Sequence, residues 1–338
     1  MHQILFTIPI FGGIPVYGYG VMLVIGFFAA MELAKFLARR SGIDPELFAN
    51  GALIALVAGV IGARLSHVLE NWPDYTRADL SFGQNLWNAI NIRSGGLTYY
   101  GGFLLAFPSV LAYGLYKRVP IRLGMDIIAP CLMIGLGFGR IGCYLNGCCY
   151  GAPTSAAWGV EFPYGSDAYV TEAREGKVQP PEALIEHDFQ GRPLLDSDGR
   201  PVLRPMKDIP TSSPLYALAR QQHSLRLHPA QLYSTLTAWL IAAFLVAYFT
   251  LPHALGRVFA LMLVLEGITR FLLEMLRAEP PATMFGHHIF GPLTLSMGIS
   301  VILVALGVAL WIVFGSRRLW NDIPHPLTSG PVGAPAAA

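Results

Sequence analysis

Residues 135–151, GLGFGRIGCYLNGCCYG, set Arg140 and Asn146 inside a glycine-rich apolar segment of membrane-spanning character. A charge at bilayer depth is expensive, so intramembrane ionisable residues mark substrate or ion paths by default. Glycines let helices approach closely and leave space beside the backbone for a ligand. The planar guanidinium pairs bidentately with phosphate. An arginine in this setting therefore points to the phosphate of a lipid.

The rest of the chain supports a membrane setting. Of 338 residues, 54% are hydrophobic and 13% charged, and the mean hydropathy is +0.49. Soluble domains carry about 25% charged residues, so the composition is that of a polytopic membrane protein. A formal net charge of +2 says little about partners, and no nucleic-acid partner is expected. Residues Met1 to Pro15 lack a basic n-region, so no cleavable signal peptide is expected and the first span reads as retained. Cys131, Cys143, Cys148 and Cys149 fall in one half of the chain, which is not a secreted disulfide framework.

Seven apolar stretches reach or approach spanning length, at about 15–37, 49–69, 97–116, 124–145, 229–250, 255–276 and 290–314. Basic residues follow span one (Arg39, Arg40), span three (Lys117, Arg118, Arg122), span five (Arg257) and span seven (Arg317, Arg318). The loop after span six, Ala278 to Ile289, has no Lys or Arg. The alternation fits the positive-inside rule with the N-terminus outside and the C-terminus cytoplasmic. The expected fold is an all-α integral membrane protein of seven transmembrane helices, one membrane domain over residues 1–323. Its long loop, 152–227, lies between spans four and five on the outside; parts read as short strands and much as irregular chain, and a loop this long is usually a lid, a binding element or disordered. A disordered tail is expected over 324–338. No internal repeat supports an inverted-repeat transporter.

Several polar groups interrupt the spans. Glu266, Arg270, Glu274 and Arg277 follow steps of four, four and three, so they share a helix face and alternate in sign. Two readings stand: a self-neutralised stripe, or an Arg270 held by Glu266 and Glu274 with donors left for a ligand. Arg64, His67 and Glu70 read as an interfacial cluster in which Arg64 has a possible binding role. Asp126 reads as an interfacial or helix N-terminal charge. Ser94–Gly102 brackets Tyr99 and Tyr100 with paired glycines, either as an aromatic belt or as a flexible functional entry. His228 stands before Pro229 at the start of span five, as a general base or a polar interfacial residue. Cys143, Cys148 and Cys149 have four readings. Either Cys143 pairs with Cys148 or Cys149, or the thiols are packed and inert, or they react covalently, or they bind metal with further ligands such as His287 or His288.

Taken in order, these pieces resemble the bacterial prolipoprotein diacylglyceryl transferase family. The segments are Tyr19-Gly20, Gly62-Ala-Arg64, Ser94–Gly102, Asp126–Pro130, Gly139–Gly151, His228–Tyr233 and Thr269–Glu274 with Arg277. The resemblance covers nearly the whole chain except the long loop and tail. It implies transfer of a diacylglyceryl group from phosphatidylglycerol to the lipobox cysteine thiol of a preprolipoprotein, with release of glycerol phosphate. It implies no metal and no cofactor, and a multi-pass location in the bacterial cytoplasmic (inner) membrane. Arg140 and Arg270 carry over directly as catalytic residues, and Tyr100 and Glu266, with His228, are the candidates for the base. Arg140, Asn146, Gly151, Tyr19, Arg64 and His228 are assigned to substrate binding. The chain departs from the family pattern at five positions. Tyr100 replaces a histidine, Cys143 and Cys148 replace an asparagine and a glutamate, Glu266 replaces a tyrosine, and Ser234 replaces an acidic residue. The departures keep two rivals open: a transferase with another acceptor, and a non-catalytic phospholipid-binding or transport protein.

The charge pattern predicts that cysteines introduced into loop 152–227 react with an impermeant reagent in intact cells, while those in the tail do not. Labelling of the tail but not the loop contradicts the expected orientation.

Overall fold

The computed structural model describes residues 4–8, 14–76, 81–91, 96, 98–196, 199–277 and 294–315. The expected tail, the loop after span six, and His287, His288, Arg317 and Arg318 lie outside the described residues.

A hairpin comes first: β1 (Ile4–Ile8) pairs antiparallel with β2 (Ile14–Tyr17). β-branched residues in both strands (Ile4, Thr7 and Ile8; Ile14 and Val16) favour this pairing, and Pro15 sits where an edge strand tolerates it. The expected first span therefore starts three residues late, as α1 (Gly18–Arg40). α2 (Pro45–Glu70) begins at an Asp44 cap, whose carboxylate accepts from the Glu46 N–H at 3.0 Å. The short α3 (Trp72–Tyr75) and α4 (Phe82–Ile90) follow, the second opened by a Ser81–Gln84 capping box. Then come α5 (Tyr99–Tyr116), α6 (Ile121–Asn146), α7 (Asp167–Arg174), α8 (Pro214–Gln221), α9 (Ala230–Phe249), α10 (Arg257–Met275) and α11 (Leu295–Phe314).

α1, α2, α6, α9 and α11 are long and apolar enough to cross a membrane, which makes this a multi-pass membrane protein. α5 and α10 coincide with the two remaining expected spans. At 18 residues α5 is about 27 Å long, just under the hydrocarbon thickness. α10 carries Arg257, Glu266, Arg270 and Glu274, which lower its hydropathy.

The chain divides into two compact units. One comprises Ala30–Cys131, Leu251–Phe259 and Phe314–Ala338. Here α2 and α5 meet through glycine. A Cβ on Gly102 would sit 3.0 Å from the Gly59 carbonyl, and one on Gly62 would sit 2.7 Å from the Leu105 Cβ and strike the Gly101 carbonyl. A Cβ on Gly101 would strike Ser66. Close backbone approach of this kind is how helices gain dispersion contacts where lipid is as apolar as the protein. In the same unit Asp126 is fully buried and accepts from the N–H groups of Gly256 (2.6 Å) and Phe259 (3.0 Å). It thus caps the start of α10 rather than lying at an interface, supplying acceptors to donors that a helix start leaves open.

The other unit comprises Met1–Ala29, Leu132–Thr250 and Ala260–Val313. In it Gly137 of α6 makes room for the Trp239 indole of α9, whose Nε1 donates to the Ile134 carbonyl at 3.4 Å. Gly307 of α11 meets the Ala260 carbonyl and Leu263 of α10 in the same way. The long loop folds as a small module with its own core of Tyr164, Tyr169, Leu184, Ile209 and Ala219. Ser166 and Ser213 cap α7 and α8, and a buried Glu172 accepts from the Leu225 N–H at 2.8 Å. Its short isolated bridges match the irregular, partly extended chain that its Pro- and Gly-rich sequence suggested.

Gly101→Ala should lower the melting temperature of the detergent-solubilised protein, by overpacking worth about 1–3 kcal/mol. Gly114→Ala, where nothing lies within 4 Å of the added methyl, should leave it unchanged or slightly raised. Equal melting of the two variants contradicts the close α2–α5 contact.

Candidate active site

The site grows from the end of α6. Gly147 takes a left-handed φ of 75°. Its N–H reaches the Tyr144 carbonyl (3.2 Å), while the Cys148 N–H reaches that of Cys143 (3.1 Å). These two bonds form a Schellman motif, and the left-handed residue is the glycine such a stop prefers. The chain then reverses, with Cys149 also left-handed at φ 59°. The buried Gln231 of α9 donates to the Cys148 carbonyl at 2.7 Å and fixes the turn. Just beyond, the Gly151 N–H reaches the His228 carbonyl (2.9 Å) and the Ala152 N–H reaches that of Leu276 (2.9 Å). Gly151 is required by proximity, since a Cβ there would lie 2.6 Å from the His228 Cβ and 2.9 Å from the Leu276 carbonyl.

These ties draw the end of α6, the start of α9 and the end of α10 around one pocket. Arg140, Cys149, Ala230, Ser234, Arg270, Leu273, Glu274 and Arg277 line it. Its walls carry three guanidiniums and one carboxylate, so it is set up for an anion. Glu274 is buried and takes a bond from Arg277 Nη1 at 3.3 Å. Arg270 is held differently from the expectation: its Nε donates to Ser296 Oγ of α11 at 3.0 Å, while Glu274 pairs with Arg277. Glu266 accepts from Thr269 Oγ1 at 3.5 Å and is within electrostatic reach of Arg140 and Arg270, but it is not among the lining residues. The thiols of Cys143 and Cys148 lie beside that of Cys149, and Arg140 and Arg277 add positive charge. Together they hold the Cys149 thiol well below its ordinary range.

The other expected residues are placed as follows. The Tyr19 ring packs on Gly142 of α6. Asn146 closes α6 and hydrogen-bonds the Cys148 thiol. His228 Nδ1 lies 3.2 Å from the Tyr233 hydroxyl, which also accepts from Trp158 Nε1 at 2.7 Å. Arg64 is buried, and its donors go to the carbonyls of Asn88 (2.6 Å), Ala89 (2.8 Å) and Gly96 (2.9 Å), with Tyr75 beneath the guanidinium. Those bonds tie α4 and the Gly96 turn to α2. Tyr100 is more than half exposed and is not among the residues lining the pocket. Sequence reasoning missed Ala230, Leu273 and Ser296 as parts of the site, and singled out Cys149 without placing it beside the arginines. Ser296 carries a weak signal, one of two hydroxyls, with Ser300, in an otherwise apolar helix.

A family model described as prolipoprotein diacylglyceryl transferase matches residues 3–313. The chain belongs to that family. Curated relatives named phosphatidylglycerol–prolipoprotein diacylglyceryl transferase include one from Clostridium tetani. It is 25% identical over 309 residues, covering 90% of this chain and 96% of the relative. One from Corynebacterium diphtheriae is 28% identical, covering 91% and 90%. A third, from Rhodopirellula baltica, is 35% identical over 191 residues, covering 56% of this chain and only 37% of that relative's length. The resemblance drawn from the ordered motifs is thus borne out at the level of family.

Replacing Glu274 by Leu leaves three arginines lining the pocket without its carboxylate, and should destabilise the protein by about 3–5 kcal/mol. Glu274→Gln should cost less, and Arg277→Met should restore part of the loss in the Glu274→Leu background. Thermal unfolding in detergent is the measurement. An unchanged midpoint for Glu274→Leu contradicts the role of this carboxylate in offsetting the pocket's charge.

Proposed function

We propose that the chain transfers the diacylglyceryl group of phosphatidylglycerol to the thiol of a preprolipoprotein lipobox cysteine. It is a membrane transferase of lipoprotein biosynthesis. The observation that carries the chemistry is the convergence of Arg140, Arg270 and Arg277 on one pocket. The lipid phosphate sits against Arg140 and Arg270, and Arg277, kept in place by Glu274, adds to the positive field. The acceptor thiolate attacks the glyceryl carbon, the carbon–oxygen bond breaks, and glycerol phosphate leaves with the electron pair. Guanidiniums aimed at the leaving phosphate stabilise charge as it grows, and a site poor in water strengthens that effect. The thiol's proton goes to a base among Glu266, His228 and Tyr100. Of these, Glu266 is the one in electrostatic contact with the two catalytic arginines.

In this reading α5 and α10 also cross the bilayer, giving seven spans with the N-terminus and the folded loop outside the inner membrane. The pocket, at the end of α6 that leads into that loop, the start of α9 that follows it and the end of α10, then opens at the level where an exported thiol arrives. The lipid enters sideways between helices.

Arg140→Lys and Arg270→Lys should each lose most transfer activity although charge is kept, because lysine lacks the planar fork. The loss should be about 2–4 kcal/mol of transition-state stabilisation. The assay is transfer of labelled diacylglyceryl to a lipobox peptide, with phosphatidylglycerol binding measured alongside. Near-normal transfer by either variant removes the phosphate clamp.

A further inference from the structure

We propose that Cys143, Cys148 and Cys149 form a trithiolate site for a thiophilic d10 cation of the zinc class, at the wall of the arginine pocket. Their three sulfur atoms all lie within 4.8 Å of one another. A tetrahedral zinc with bonds of about 2.3 Å spaces its sulfurs about 3.8 Å apart, so closure needs movements of an ångström or less. All four cysteines are free.

The backbone is built to bring these thiols together. Cys143 lies on the last turn of α6, and the Schellman stop at Gly147 turns the chain back over it. Cys149 is held with φ at 59°, a conformation that costs a non-glycine residue energy. A disulfide accounts for the arrangement less well. Cys148 and Cys149 are adjacent, which is poor bridging geometry, and any one bridge leaves a third thiol stranded beside it. A metal uses all three. Three thiolates on a divalent cation leave one net negative charge. Cys149 lines the same pocket as Arg140, Arg270 and Arg277, which offset it. Three protein ligands also leave a tetrahedral cation one open position.

Metal binding is independent of the transfer reading, and transfer is not its readout.

The test uses full-length protein, reduced in lipid–detergent micelles, incubated with zinc or cadmium salts and desalted. Elemental analysis should give one cation per chain, and cadmium should add a thiolate charge-transfer absorption. Bound metal should slow alkylation of Cys143, Cys148 and Cys149 at least tenfold. Cys143→Ser, Cys148→Ser and Cys149→Ser should each lower retained metal at least tenfold, whereas Cys131→Ser, at a buried lone thiol, should not. Should a serine variant fail to fold, protection of the unaltered protein's thiols decides. A disulfide among the three in protein isolated without reductant overturns the proposal. So does equal alkylation with and without metal.

Discussion

Three guanidiniums share a pocket with one buried carboxylate at the ends of α6 and α10, and the surrounding architecture has to make that tolerable. Removing a charge from water costs several kcal/mol even after relaxation. Here Glu274 takes up Arg277, and Ser296 anchors Arg270 without neutralising it. The result is a pocket with more positive than negative charge, an unfavourable state that an anionic ligand relieves. Net destabilisation at a binding site of this kind is a common cost of function.

The means of assembling it are mostly small residues and backbone bonds. Gly137 admits Trp239, which fixes α9 against α6 just before Arg140. Gly147 stops α6, and Gly151 lets the chain pass between the start of α9 and the end of α10. Gln231 satisfies the turn from below. Each removes a steric or hydrogen-bonding obstacle to bringing charged side chains from α6 and α10 into one space.

Much of the helical framework was legible because a bilayer is a strict solvent: it demands long apolar runs with internally satisfied backbones. All seven predicted stretches coincide with helices, with boundaries shifted by up to five residues at Leu295. The hairpin before α1 was not legible, since Ile4–Ile8 and Ile14–Tyr17 are short apolar runs that periodicity does not separate from a helix. Nor was the folded core of the long loop, which depends on contacts between residues as distant as Tyr164 and Ala219. At the site, the meeting of Arg140 with Arg270 was readable from charge in apolar sequence. The partners were not: pattern alone suggested that Glu266 and Glu274 hold Arg270, while the fold supplies Ser296 from the next helix. Arg64 looked like a ligand residue for the same reason Arg140 did. Only the carbonyls of Asn88, Ala89 and Gly96 reveal a structural task that no local spacing encodes.

The most direct measurement is a balance sheet for the reaction itself. Purified unaltered protein is given phosphatidylglycerol labelled separately in its diacylglyceryl and headgroup parts, with a lipobox peptide as acceptor. The account predicts one thioether-linked diacylglyceryl group on the peptide cysteine for each glycerol phosphate released, and none when that cysteine is replaced by serine. Phosphatidylglycerol that binds the protein but yields neither product, with this peptide or any other thiol, contradicts it.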